Sequence, residues 1–153
     1  MLNKYDITEL KEFRDNLEKI DVDFFVKSCV NELAARLLRK VKKRTPVGIY
    51  QSGTGKTGGT LRRNWYIDNQ VSVNGKEYKI DVYNNTSYAP YVEYGHRQQV
   101  GRFIPSLGKR LKRSWVNGRF MLTESENELR SQADAILKSK LEKALKDLMK
   151  WLI

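Results

Sequence analysis

Two long stretches of the chain repeat apolar residues at helical spacing. One covers residues 21–44, and the other begins at Phe120 and continues toward the end of the chain. A shorter stretch of the same kind covers residues 6–18. The pattern predicts one short helix followed by two long ones. We expect the apolar stripe of the last helix to pack on the core face of a β-sheet.

The first long helix has clear start and stop signals. Asp21 or Asp23 can cap its first turn, and Thr45-Pro46 ends it after Arg44. Basic residues crowd its last turns, where positive charge complements the carbonyl end of the helix dipole. Part of this basic cluster therefore has a structural reason.

Apolar and polar residues alternate on both sides of Asn74-Gly75, which predicts a β-hairpin closed by a two-residue type I′ turn. This turn places Val73 opposite Lys76 and Trp65 opposite Asn84. The alternation then gives one core face and one solvent or partner face. The core face consists of Trp65, Ile67, Val71, Val73, Tyr78, Ile80 and Val82.

These elements predict an α+β fold. An antiparallel β-sheet built around the 65–83 hairpin is packed by a long helix from the amino-terminal half and a long carboxyl-terminal helix. A chain of 153 residues can bury a core without a disulfide or metal, so we expect one domain over 1–153. A glycine-rich segment at 47–59 is expected to be a mobile loop. No apolar run reaches the length of a membrane span.

The segment that follows Pro105 spaces Leu107, Leu111 and Trp115 four residues apart. Four bases lie off that line, so the pattern predicts a short basic amphipathic helix. These bases are Lys109, Arg110, Lys112 and Arg113. Such a helix can lie on phosphates, but it is short for a membrane-surface helix.

One helical turn is predicted at Tyr88–Tyr94, ended by Gly95. Its three tyrosines are typical of interface anchors, yet they could equally close the end of a small core. Glu93 precedes His96 and Arg97, which favours a structural ion pair over a general base.

The charge is unevenly distributed along the chain. The formal net charge is +11, from 29 Lys and Arg against 18 Asp and Glu. Residues 33–67 hold nine bases and residues 94–123 hold seven, and neither window contains an acid. We call these the first and second basic windows. Such asymmetry indicates an acidic or polyanionic partner surface, unless the bases form merely solvated faces.

The sequence offers little for catalysis or metal binding. Cys29 is the one cysteine and His96 the one histidine, so no cluster of several His or Cys metal ligands can form. Cys29 lies in an apolar helical run, where a small buried side chain is the simplest interpretation. GTGKT at residues 53–57 lacks the first glycine of a phosphate loop, because Tyr50 stands there. We therefore predict no cofactor and no enzymatic activity.

Four blocks along the chain together resemble a known family. They are KRTPVG, GGTLRRNW, VYNNTSYAPYVEYGHR and GRFMLTES. With them the chain resembles the head-tail joining or tail-completion proteins of long-tailed bacteriophages, the gene-product-ten family of the HK97 type. The resemblance covers roughly Cys29 to the end. A common family pattern has an acidic residue after Thr-Pro-Val, whereas Gly48 and a longer glycine-rich loop follow here.

The resemblance implies a non-enzymatic virion protein assembled in the bacterial host cytoplasm and placed at the neck or tail of a phage or prophage particle. Its implied partners are a head connector or stopper protein and a tail tube or terminator protein, with self-association into a ring. Contact with DNA is possible, and no membrane partner is expected. Family analogy points to Arg62, Arg63, Trp65 and Tyr88–His96, although a role in folding is at least as plausible for Trp65.

Combining this analogy with the charge pattern gives the candidate partner-binding residues. They are Arg62, Arg63, Tyr91, Glu93, Tyr94, His96, Arg97, Lys109, Arg110, Lys112 and Arg113. The alternative function is a nucleic-acid-binding module without sequence specificity, because aromatic residues are interleaved with the basic windows. A nucleotide hydrolase is the weakest alternative.

Overall fold

The computed structural model describes residues 8–18, 21–50, 52–53, 55, 57–105 and 108–149. Its helices are α1 (Thr8–Glu18), α2 (Val22–Arg44), α3 (Thr60–Arg63), α4 (Ala89–Tyr94) and α5 (Met121–Met149). The strands of its first half are β1 (Trp65–Ile67), β2 (Ser72–Asn74), β3 (Glu77–Lys79) and β4 (Val82–Asn84). Those of its second half are β5 (Gly95–Arg97), β6 (Phe103–Ile104), β7 (Lys109–Arg110) and β8 (Trp115–Asn117). Two long helices with short antiparallel strand pairs confirm the α+β prediction.

Helix α2 has the predicted ends. The Asp21 Oδ1 accepts a hydrogen bond from the Phe24 N–H at 2.9 Å and thereby caps the first turn. At the other end the Thr45 hydroxyl donates to the Val41 carbonyl oxygen at 2.7 Å. Thr45 is fully buried, and its extended backbone leads the chain away from the helix.

The inner half of the hairpin has the predicted register, with Trp65 opposite Asn84. The outer half does not, because Val73 lies opposite Tyr78 instead of Lys76. The turn is Gly75-Lys76, and Gly75 has a φ of 61°. A positive φ at the first central residue alone fits a type II′ turn rather than the predicted type I′ turn.

Helix α2 contacts β1, β3 and β4 of the hairpin and also α5. The prediction that α5 packs on the core face of the hairpin is therefore wrong for most of its length, because α2 occupies that face. The first turn of α5 does reach the core, where Met121 clusters with Val41 and Trp65. Trp65 is only 4% exposed, which confirms its predicted place in the core.

The predicted basic amphipathic helix after Pro105 is absent from the described residues of that segment. β7 instead pairs with β6, and Gly108 between them has a φ of 61°, which a right-handed helix does not allow. Residues 106–107 lie outside the described residues. The bases of this segment therefore lie on a small hairpin and the chain that follows it.

The glycine-rich segment 47–59 contains neither helix nor strand at its described residues. Positions 51, 54 and 56 lie outside the described part of the chain, so the order of this loop stays a prediction. No helix in the described ranges has both the length and the apolar character required to cross a bilayer.

Candidate functional site

Glu93 lies beneath the tyrosines of α4 and joins this helix to α5. The residue is 5% exposed, and its carboxylate accepts hydrogen bonds from the Leu122 N–H at 3.0 Å and the Thr123 N–H at 2.9 Å. The Thr123 hydroxyl donates a third bond at 2.8 Å. A carboxylate that caps the first amides of a helix also complements the positive end of its dipole. Glu93 thus caps α5 and does not form the predicted ion pair with His96 and Arg97.

The backbone strengthens the same junction. The Phe120 N–H donates to the Glu93 carbonyl oxygen at 3.0 Å, and the Arg119 N–H donates to that of Val92 at 2.8 Å. A Cβ added to Gly118 would lie 2.2 Å from the Glu93 carbonyl oxygen, so only glycine allows this approach. The end of α4, strand β8 and the start of α5 are therefore tightly packed together.

Two tyrosines of α4 face outward. Tyr91 is 58% exposed and Tyr94 is 62% exposed. The Tyr91 ring meets the His96 ring edge-on, with centroids 6.0 Å apart. His96 lies on β5 and is half-buried; its Nδ1 is buried without a hydrogen-bond partner among the described residues. Tyr91 and Tyr94 therefore present an aromatic surface, while His96 lies partly behind it.

Five of the nine bases of the first basic window bind groups inside the molecule. The Arg62 guanidinium donates two hydrogen bonds to the Thr45 carbonyl oxygen, at 3.0 and 2.6 Å. Arg63 donates to the Gly58 carbonyl oxygen at 2.9 Å. Both side chains have an intramolecular role that supports the turn after α2. The structure thus separates them from the candidates that lie after α4.

Three further bases of the first window form ion pairs, one within α2 and two between α2 and α5. Arg36 forms an ion pair with Glu32 at 2.7 Å. Lys40 and Arg44 both bind the Glu128 carboxylate of α5. These two cations lower the pKa of Glu128 from 4.5 to about 2, because each hydrogen-bonds to its ionised form.

The second basic window is different. Within the described ranges, none of its seven bases forms an ion pair. All seven are exposed: Arg97, Arg102, Lys109, Arg110, Lys112, Arg113 and Arg119. Arg110 donates to the Gly101 carbonyl oxygen at 2.8 Å, and its guanidinium carbon lies 6.0 Å from the centre of the Phe103 ring. The positive charge of this window therefore has no acidic partner in the described chain.

Part of this window lines an open groove of about 720 Å³ beside β8. Lys112, Arg113 and Arg119 supply its charge, and Trp115 supplies an aromatic surface that is 46% exposed. The lining is completed by Val100, Ser114, Val116, Asn117 and Gly118. The groove can hold an extended anionic segment against a strand edge.

The candidate residues thus fall into three groups. Arg62, Arg63 and Glu93 make contacts inside the molecule, and Tyr91, Tyr94 and His96 lie at α4 and β5. The bases Arg97, Lys109, Arg110, Lys112 and Arg113 lie on the exposed basic surface. The prediction that these residues bind partners is not tested by their placement.

Sequence reasoning did not place Arg119 or Trp115 beside this groove. The pairing of β5 with β8 brings Arg97 opposite Trp115, across a separation that local patterns do not reveal. Gly108 was the available signal against a helix in this segment, because an interior glycine weakens a helix by about 1 kcal/mol relative to alanine.

The described residues contain no cluster of three or more His, Cys, Asp or Glu side chains that could hold a metal. Cys29 is buried in α2. The prediction that the protein needs no cofactor stays a prediction.

A family model described as "Bacteriophage HK97-gp10, putative tail-component" matches residues 11–95. The chain belongs to the HK97-gp10-like family. The match begins before Cys29 and ends at Gly95, so it differs in extent from the resemblance seen in the sequence. It covers α2, the hairpin and α4 of this HK97-gp10-like protein, whereas the second basic window lies almost wholly beyond it. No curated protein and no solved structure matches the chain.

Proposed function

We propose that this protein completes the phage tail or joins it to the head at the connector, as a non-enzymatic virion assembly protein. The family match supports a phage tail component. The observation that carries the finer proposal is the contrast between the two basic windows. Five of the nine bases of the first window bind acids or carbonyl groups within the molecule, whereas the second presents seven exposed bases without an ion pair in the described ranges.

An unpaired basic surface favours partners that supply the missing acids. Charge complementarity across an interface speeds association and selects the correct partner. A head connector or stopper protein on one side and a tail tube or terminator protein on the other are the proposed partners. Copies of the chain form a ring between them in this proposal. Tyr91 and Tyr94 add exposed aromatic area of the kind that anchors protein interfaces.

The alternative is a nucleic-acid-binding module without sequence specificity. It is favoured by Phe103 and Trp115, which are half-exposed aromatic residues within the basic surface. Bases stack on such rings while cations neutralise the phosphates. A neck protein surrounds the genome as it passes, so the two functions can coexist.

Deletion of the gene from the phage or prophage tests the proposal. Electron microscopy should show filled heads and separate tails that accumulate unjoined, and expression of the wild-type protein in trans should restore joined particles. A catalytic or DNA-processing role would instead leave empty heads or no particles. Joined particles in normal number without the protein would overturn the proposal.

A further inference from the structure

Strand β8 has one paired edge and one free edge. It pairs with β5, with Val116 opposite His96, and no other strand of the described chain pairs with it. The Gln98 N–H donates to the Ser114 carbonyl oxygen at 2.7 Å, which continues the same ladder.

The direction of the backbone groups follows from this bond. In an antiparallel pair, alternate residues direct both their N–H and C=O groups toward the partner strand. Ser114 does so, and the carbonyl oxygen of Val116 also points to β5, since a Cβ on Gly95 would lie 2.4 Å from it. The N–H and C=O groups of Trp115 and Asn117 therefore point away from β5, and both residues line the groove.

The groove supplies charge as well as a strand edge. Lys112, Arg113 and Arg119 line it, and no acid lines it. All three bases are exposed and form no ion pair within the described ranges. An occupant that extends beside β8 therefore meets hydrogen-bonding groups from one strand and at least three cations.

We propose that β8 is a docking strand, and that an extended acidic segment of a neighbouring virion protein pairs with its free edge. This inference rests on the proposed function and names the chemistry of the partner. The main-chain hydrogen bonds of strand addition supply affinity, and the surrounding bases select an acidic sequence.

The backbone groups of the free edge favour a polypeptide over nucleic acid. Outward N–H and C=O groups that alternate along an edge match another peptide backbone, which carries both donors and acceptors at that spacing. A phosphate backbone offers acceptors alone, so it would leave the outward carbonyl groups of Trp115 and Asn117 without donors. An acidic polypeptide is therefore the occupant that can pair with the backbone groups of the strand edge and also neutralise the surrounding bases.

The test uses the full-length protein and a ten-residue peptide that alternates glutamate and valine, with a lysine-valine peptide as the control for charge. NMR-detected amide hydrogen exchange is the readout. The acidic peptide should bind and slow exchange of the Trp115 and Asn117 amides. The Val116 amide, already in the β5 ladder, should change little. The lysine-valine peptide should cause no protection.

Matched variants test the bases. The pair Lys112→Ala and Arg113→Ala should weaken binding of the acidic peptide about three- to tenfold, the effect of two exposed ion pairs. The control pair Arg130→Ala and Lys138→Ala removes equal charge from exposed positions on α5 and should leave affinity within about twofold. An equal loss of peptide affinity in both double variants would mean that only the net charge of the protein matters, and would overturn the proposal.

Other results also overturn the inference. These are no binding of the acidic peptide at about 1 mM, binding without protection of Trp115 and Asn117, or the same protection by a single-stranded oligothymidine in place of the peptide. The deletion experiment separates this failure from failure of the proposed function. If wild-type protein restores joined particles but the peptide does not protect the strand edge, the docking-strand inference is wrong and the proposed function stands.

Discussion

The carboxylate of Glu93 accepts hydrogen bonds from both the backbone N–H and the hydroxyl of Thr123, which is 30 residues further along the chain. This contact fixes the start of α5 against the end of α4. Strand β8 ends between them, at the close approach of Gly118 to Glu93. The proposed interaction surface is thereby anchored to the core by a buried carboxylate.

Replacing Glu93 with alanine should destabilise the protein by roughly 2 to 3 kcal/mol, because it removes a helix cap and leaves buried donors without an acceptor. Urea denaturation measures the loss. Glu126→Ala is the control, since Glu126 is exposed on α5, the helix that Glu93 caps, and should change stability by less than about 0.5 kcal/mol. Equal effects of the two substitutions would contradict the capping role.

The two tryptophans at positions 65 and 115 should respond very differently to alanine. Trp65 is buried, and its indole N–H donates to the Thr45 hydroxyl oxygen at 2.8 Å, so Trp65→Ala should cost about 3 to 5 kcal/mol. Trp115 is half-exposed in the groove, and Trp115→Ala should cost less than about 1 kcal/mol. Thermal or urea unfolding measures both. A larger loss of stability for Trp115→Ala than for Trp65→Ala would contradict the assignment of Trp65 to the core.

The stability of the protein should depend on Glu128 in acid. Its folded-state pKa of about 2 lies below its ordinary value of 4.5, so its ion pairs stabilise the fold above about pH 4.5 and are lost as the pH falls toward 2. Glu128→Gln should lower the free energy of unfolding at pH 7, and its difference from wild type should shrink between pH 5 and pH 3. Urea denaturation at several pH values, with Glu126→Gln as control, checks this. A difference that stays constant with pH would contradict it.

Nucleic-acid affinity discriminates between the two candidate functions. If the second basic window is matched to acidic proteins, nuclease-treated protein should bind a random DNA duplex more weakly than micromolar at about 150 mM salt. Fluorescence anisotropy between about 50 and 300 mM salt measures this. Micromolar or tighter binding with a steep salt dependence would favour nucleic-acid contact as the primary function.

The helices could be predicted from the sequence because their signals are local. The apolar spacing of α2 and α5 is long and regular, and Asp21 and Thr45-Pro46 mark the ends of α2. The inner half of the hairpin follows in the same way from its alternation. The position of the turn was predicted one residue too early, because Asn-Gly by itself favours a type I′ turn. In the structure four residues separate β1 from β2, but only two separate β3 from β4. This inequality shifts the register of the outer half, and local sequence signals do not reveal it.

The candidate site was harder to predict because long-range contacts form it. The spacing of Leu111 and Trp115 fits a helix, but the pairing of β5 with β8 and the left-handed Gly108 override that pattern. The role of Glu93 depends on α5, which the sequence does not place beside α4. Charge counting found both basic windows, yet only the structure shows that Lys40, Arg44 and Arg62 are already paired within the molecule.

The most direct test of the account is the fraction of joined particles produced by a variant of the second basic window. Arg110→Ala, Lys112→Ala and Arg113→Ala together should leave the unfolding midpoint close to wild type, because exposed charges contribute less than about 1 kcal/mol each. In the deletion background this variant should fail to restore head-tail joining. The matched triple Arg130→Ala, Lys138→Ala and Lys143→Ala, exposed on α5, should restore it. Normal joining by the first variant, or its unfolding, would contradict the assignment of this surface to partner binding.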